Sequence, residues 1–182
     1  MNIEKTTIKD LVIITPVIYE DTRGYFFEAN NQSKLINNGI EYPFIQDNQS
    51  FSKRGVIRGL HLQINPFAQA KLVRVLEGEI LDVAVDLRKN SPTYGRHVSV
   101  ILSAANKKQL MVPHGFAHGF SVLSETASVL YKVDQYYNKE SERGIRYDDQ
   151  TLAIDWKVNS DEIIVSEKDL ILPGFNEIDW EF

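Results

Sequence analysis

Short runs that alternate apolar and polar residues, each closed by a turn signal, recur along almost the whole of this chain and limit it to an antiparallel β architecture. The clearest is EILDVAVDL, residues 79–87. Leu81, Val83, Val85 and Leu87 share one face there, while Glu79, Asp82 and Asp86 interrupt the pattern elsewhere, which predicts a strand with one buried side. Comparable runs are LVIITP, GYFFEAN, KLVRVLEG, HVSVILS, QLMVP and ASVLYKV, separated by Glu77-Gly78, Asn90-Ser91-Pro92 and Pro113-His114-Gly115. Many short strands with little helix between them predict an all-β sandwich or barrel of the antiparallel jelly-roll kind.

Helix is expected only in SKLINNG, residues 33–39, which stops on Gly39, and in a weaker segment near 160–170. With 182 residues, 43% of them hydrophobic, residues 1–182 read as a single domain. The net charge of −5 argues against a broad phosphate-binding surface and a nucleic-acid partner, though a local basic pocket can hold one nucleotide. The absence of cysteine excludes disulfides, thiolate metal ligands and a thiolate nucleophile. MNIEKTTIKDLVIITP lacks the basic start and continuous apolar segment of a signal peptide, and no apolar run approaches a membrane span. A soluble, cytoplasmic protein with no membrane partner is expected. The acidic, aromatic tail FNEIDWEF reads equally as a packed or a frayed terminus.

The histidines at 61, 97, 114 and 118 raise the question of metal. A metal-binding jelly roll commonly offers His-x-His with a Glu soon after; here the second place is Gln63, and no acidic residue follows before Glu77. Pro113, Gly115 and Gly119 also make a shared helix face for His114 and His118 improbable. No metal is expected. In VIRGLHLQINPFAQAKLVRV, Arg58, His61, Gln63 and Lys71 stand among apolar strand residues; each taken alone reads as an ordinary solvent-facing residue sooner than as a site residue. Strict alternation puts Arg58 and His61 on opposite faces unless Gly59 allows a bulge. In VPHGFAHGFSVL, Pro and Gly bracket His118 in what reads as a tight turn, and Tyr131 and Tyr137 lie on or beside a strand. Core packing accounts for all three as well as function does. Asp21-Thr22-Arg23-Gly24 with Glu28, and Ser166-Glu167-Lys168-Asp169, are by themselves ordinary surface turns.

Taken in order, YEDTRGYFFEAN, FIQDNQSFSKRGVIRGLHLQ, AQAKLVRVLEGEILDVAVDLRKNSPTYG, PHGFAHGFSVLSETASVLYKVDQYYNKESERGI and SEKDLILP resemble the successive signature segments of the dTDP-4-dehydrorhamnose 3,5-epimerases, over roughly residues 10–173. The resemblance implies a cupin-type jelly roll, a homodimer, no metal or organic cofactor, and a role in supplying activated deoxysugars for surface polysaccharides. It also implies His61 as catalytic base, Asp169 as its paired carboxylate, Tyr131 as proton donor and Lys71 near the sugar ketone. Arg23, Glu28, Gln46, Asn48, Arg58, His118, Glu142 and Lys168 match positions that hold the nucleotide diphosphate and sugar, and Tyr137 an aromatic in the same pocket. Two departures are His114, where the family more often has Glu, and Tyr147-Asp148-Asp149-Gln150, where it tends to Trp-Asn-Asp-Pro.

These residue types suit the chemistry. Inverting a carbon beside a ketone needs a base, a stabilised enolate and an acid on the opposite face. A neutral imidazole, of reference pKa ~6.5, serves as base when a carboxylate fixes its tautomer. A fixed cation such as Lys71 stabilises the enolate oxygen, and a phenol, of reference pKa about 10, remains a proton donor at neutral pH. Arg23, Arg58 and Lys168 suit a diphosphate, and Phe26, Phe27 and Tyr137 offer faces for a base. The rival readings are an epimerase acting at C3 alone, a 3,4-ketoisomerase, a metal-dependent cupin oxygenase, and a non-catalytic cupin that binds a sugar nucleotide.

Overall fold

A computed structural model of the chain describes residues 1–178; the tail beyond Ile178 lies outside the described residues. Two antiparallel sheets face each other, as the alternation predicts. The six-stranded sheet has the order β1 (Asn2–Lys5), β2 (Val12–Thr15), β10 (Gln109–Val112), β7 (Lys71–Glu77), β12 (Thr126–Val133), β5 (Gln46–Lys53). The five-stranded sheet has the order β13 (Glu142–Gly144), β6 (Ile57–Gln63), β11 (Phe116–Val122), β8 (Glu79–Asp86), β9 (His97–Ser103). A separate hairpin pairs β3 (Tyr19–Asp21) with β4 (Gly24–Phe26), so GYFFEAN is a strand only in its first three residues, all exposed. The expectation of an all-β jelly roll is met, and no helix among the described residues is long and apolar enough to cross a membrane.

Among the described residues α-helix is confined to two short pieces. Asn31 caps α1 (Gln32–Ile36) by accepting from the Lys34 N–H, which starts the helix one residue before the expected SKLINNG segment. Gly39 lies in the turn that follows, at φ +80°, where an L side chain is strained. Ser166 caps α2 (Glu167–Leu170) by accepting from the Asp169 N–H, and Asp169 is buried.

The space between the sheets holds the main core, including Val73, Val75, Ile80, Ala84, Phe116, Phe120 and Val129. Leu35 and Ile40 cover the back of the six-stranded sheet against Ile14, Leu72 and Met111. Ile145, Leu152, Trp156 and Phe175 cover the back of the five-stranded sheet against Leu81, Val83, Val85 and Leu87. That second cover corrects the reading of residues 79–87: β8 is buried on both faces from Ile80 to Asp86. Asp82 and Asp86 therefore face the interior, not water. Asp86 is satisfied there by Arg88, Ser91 and Thr93.

A second correction concerns His118, which lies in the middle of β11 rather than in a turn; the turn is Pro113-His114-Gly115, with Gly115 at φ +80°. Gly119 is instead required by close strand approach. A Cβ on Gly119 would lie 2.7 Å from the Arg58 carbonyl oxygen, and one on Gly59 would lie 2.5 Å from the Gly119 Cα. Gly59 also sits at φ +126°. Between β6 and β11, His61 pairs with His118 but Arg58 with Phe120, so β6 carries one extra residue at Gly59 and Leu60. This bulge resolves the parity conflict: Arg58 and His61 both point inward.

Candidate active site

His61 and Arg58 of β6, and His118 of β11, face across the interior to Lys71 of β7 and Tyr131 of β12, and together line a cavity of ≈ 470 Å³. Ser166, Lys168 and Asp169 of α2 and its cap close one side. An adjoining cavity of ≈ 260 Å³ shares His61, Lys71 and Tyr131 and adds Gln46, Asn48, Tyr137 and Glu142. Eleven of the thirteen residues expected at the site thus come together. Arg23 and Glu28 do not. Arg23 sits on the β3–β4 hairpin with its side chain 88% exposed, paired with Asp21, and Glu28 pairs with Lys34 and Asn31.

The interior face of a strand exposes alternate side chains, which explains the set on β5 and β12. Gln46, Asn48 and Ser52 point inward while Asp47, Gln49 and Phe51 are exposed. Ser52 accepts from Arg58 Nε at 3.0 Å, and the Phe51 carbonyl accepts from its Nη2 at 3.3 Å, which aims the guanidinium along the wall. Gln46 Nε2 donates to Asn48 Oδ1 at 2.8 Å.

His61 Nε2 meets Asp169 Oδ1 at 2.7 Å, with side-chain exposures of 28% and 5%. Burial alone raises the Asp169 carboxyl. The hydrogen bond and charge of His61, with donors from the Gly59 backbone and Ser166, outweigh it and hold the group below the usual carboxylate range. A carboxylate only accepts, so Nε2 carries the proton and Nδ1 is the free basic nitrogen. Lys71 donates to the His61 carbonyl at 3.3 Å, and burial pushes its ammonium down to about 8. Burial pushes the Tyr131 phenol up, opposed by Arg58, so it stays protonated at neutral pH. Lys168 pairs with Glu142 at 2.7 Å, and Tyr137 donates to the same carboxylate oxygen at 3.0 Å.

Gln63, at the place of a metal ligand, is buried and braces loops instead. Its amide donates to the Phe67 and Tyr136 carbonyls, and its oxygen accepts from the Asn138 N–H. Among the described residues no three His, Asp or Glu side chains form a group able to hold a metal ion. His114 pairs with Asp134 at 2.8 Å, and Asp134 in turn accepts from the Ala70 N–H, so the departure at 114 supports the strand start that carries Lys71.

Residues 5–177 match the family model described as dTDP-4-dehydrorhamnose 3,5-epimerase. The chain belongs to this family. A dTDP-4-dehydrorhamnose 3,5-epimerase of Shigella flexneri is 47% identical over 182 residues, 99% of each protein. The crystal structure of the enzyme of that name from Elizabethkingia anophelis NUHP1 is 52% identical and superposes with a TM-score of 0.95 over 99% of both chains. The dTDP-6-deoxy-D-glucose-3,5-epimerase of Legionella pneumophila Philadelphia 1, solved in complex with dTDP-4-keto-L-rhamnose, is 49% identical with a TM-score of 0.94, covering 98% of this chain and 94% of that one. The resemblance drawn from the signature segments identified the right epimerase family, and the match over residues 5–177 runs slightly beyond the range read from those segments.

Two residues that shape this epimerase site were not read from the sequence. Ser52 orients Arg58, and Asp82 stands behind His118: its Oδ1 meets His118 Nε2 at 2.7 Å, with side-chain exposures of 0% and 7%. Packing alone explains a buried His118, but its partner is this carboxylate rather than backbone. The available signal was a run apolar at both parities around Asp82, which marks a strand covered on both sides.

Proposed function

We propose that this epimerase inverts C3 and C5 of dTDP-4-keto-6-deoxyglucose to give dTDP-4-keto-L-rhamnose through enolate intermediates, with His61 as base and Tyr131 as acid. One observation carries the assignment of roles: base and acid enter the cavity from opposite sheets, His61 from the five-stranded wall and Tyr131 from the six-stranded wall. A sugar ring between the walls presents one face to each. His61 Nδ1 takes the proton beside the ketone, and the C–H electron pair passes into the enolate. Asp169 stabilises the imidazolium that forms. Lys71 places its ammonium at the enolate oxygen, a contribution of roughly 3–4 kcal/mol for such a group in a dry site. The Tyr131 O–H returns a proton to the opposite face, and solvent restores both groups. Arg58 and Lys168 bind the diphosphate, His118 and Asn48 the sugar and its linkage, and Tyr137 stacks on the nucleotide base.

The test is solvent deuterium exchange into dTDP-4-keto-6-deoxyglucose, followed by NMR at C3 and C5 separately. Incorporation at both carbons with formation of the L-rhamno product is the expected result. Incorporation at C3 alone sinks the double inversion, and incorporation at neither sinks the epimerase reading.

We also propose a homodimer in which the β3–β4 hairpin reaches the site of a second copy. Exposed Tyr19, Tyr25 and Phe26 flank Arg23 on a hairpin that leaves this cation outside its own chain's cavity. Arg23→Ala is then expected to raise KM about 10–100-fold, the loss of one charge-assisted contact worth about 1.5–3 kcal/mol. Steady-state kinetics with sedimentation of the same samples decide it. A monomer with full activity overturns the proposal.

A further inference from the structure

The cavity holds two histidine–carboxylate pairs side by side. His61 and His118 are register partners on neighbouring strands, and each meets a carboxylate at 2.7 Å, Asp169 and Asp82 respectively. Proton abstraction uses only the first pair. Asp82 lies wholly buried on the inner face of β8, and its second oxygen, Oδ2, is buried without a hydrogen-bond partner. A carboxylate oxygen left in that state costs free energy unless a nearby positive charge compensates it. Lys71 enters the same interior, whereas the guanidinium of Arg58 is held along the wall by Ser52 and the Phe51 carbonyl. Lys71 forms no ion pair among the described residues, and its single hydrogen bond, to the His61 carbonyl, is long at 3.3 Å.

We propose that Asp82 is a positioning residue of the epimerisation: one buried carboxylate that sets the tautomer of His118 and supplies the counter-charge for Lys71. The other acidic groups near Lys71 are already engaged, Asp169 by His61 and Glu142 by Lys168 and Tyr137. Arg58, His61, His118 and Tyr131 are the remaining titratable or charged groups that face it. Burial lowers the Lys71 ammonium to about 8, and Asp82 first, then Glu142, opposes that fall. Because Asp82 accepts only, it keeps the proton on His118 Nε2 and turns Nδ1 toward the substrate. An enolate oxygen needs Lys71 charged, so the carboxylate acts on the reaction through two residues it holds without touching substrate.

The inference rests on the role proposed above for Lys71, and the experiment separates the two. Asp82→Asn keeps the acceptor for His118 and nearly the same volume while removing the charge. The kcat profile of the unaltered enzyme is expected to fall above about pH 8, and Lys71→Arg is expected to remove that limb, because guanidinium does not deprotonate there. Asp82→Asn is expected to move the limb down by about one unit, a loss of about fivefold in kcat at about pH 8 that recovers at lower pH, with KM little changed. A uniform fall in kcat with the limb in place overturns the proposal, as does an unaltered profile. A limb that survives Lys71→Arg overturns it together with the role of Lys71. Should Asp82→Asn fail to fold, ¹⁵N-histidine NMR of the unaltered protein decides: His118 is expected to carry its proton on Nε2 with Nδ1 bare, and a proton on Nδ1 overturns the assignment.

Discussion

His61→Ala is expected to lower deuterium exchange at both C3 and C5 by about 10²–10⁴-fold, the range a positioned general base supplies, equivalent to about 3–5.5 kcal/mol of barrier. The reason is geometric as much as chemical. Asp169 orients the imidazole through a 2.7 Å hydrogen bond, and no other imidazole in the cavity has the same freedom, since His118 is nearly buried against Asp82. The cations proposed for the diphosphate are anchored independently of the imidazole, Arg58 by Ser52 and Lys168 by Glu142. Binding of dTDP, measured by calorimetry, is therefore expected to stay within about threefold of the unaltered enzyme, so the loss falls on kcat and not on affinity. Exchange at the unaltered rate would remove His61 from the mechanism.

Tyr131→Phe tests the opposite wall. The ring packs against the main core, and phenylalanine preserves that packing, so the expected stability change is within about 1 kcal/mol. With the phenol gone, His61 still removes and returns a proton on its own face. Exchange from solvent deuterium is expected to continue, while inversion falls by about 10²-fold or more. The ratio of deuterated starting sugar to inverted product, read by NMR, rises accordingly. Loss of exchange and inversion in equal measure would show that Tyr131 is needed for proton removal and contradict its place as the acid.

Both expectations draw on features with unequal visibility in the sequence. The two-residue period located the strands closely, because a strand packed on one face writes its burial into alternate residues. It failed at Asp82 and His118 for a single reason. Residues 145–175 fold over the back of the five-stranded sheet and make β8 and β11 apolar on both sides, so alternation no longer marks which face is wet. Gly119 then read as a turn residue, although it is there to let the β6 backbone approach. GYFFEAN differs in extent: it reads as one strand run, yet only Gly24–Phe26 pair, and Tyr25 and Phe26 stand exposed on the hairpin.

The sequence by itself determined the β architecture, the family, and the chemical kinds of group available: an imidazole, a phenol, an amine and carboxylates, with no thiol. These follow from local periodicity and from residue type, both of which are written along the chain. Which of those groups meet was decided only in three dimensions. His61 and Asp169 are 108 residues apart, and His118 and Asp82 are 36 apart. The bulge at Gly59 turns Arg58 and His61 to the same side, and the facing of two sheets sets His61 and Tyr131 on opposite walls. His61 and Tyr131 face each other only through such register and closure, where one residue of slip sends a side chain to the other face.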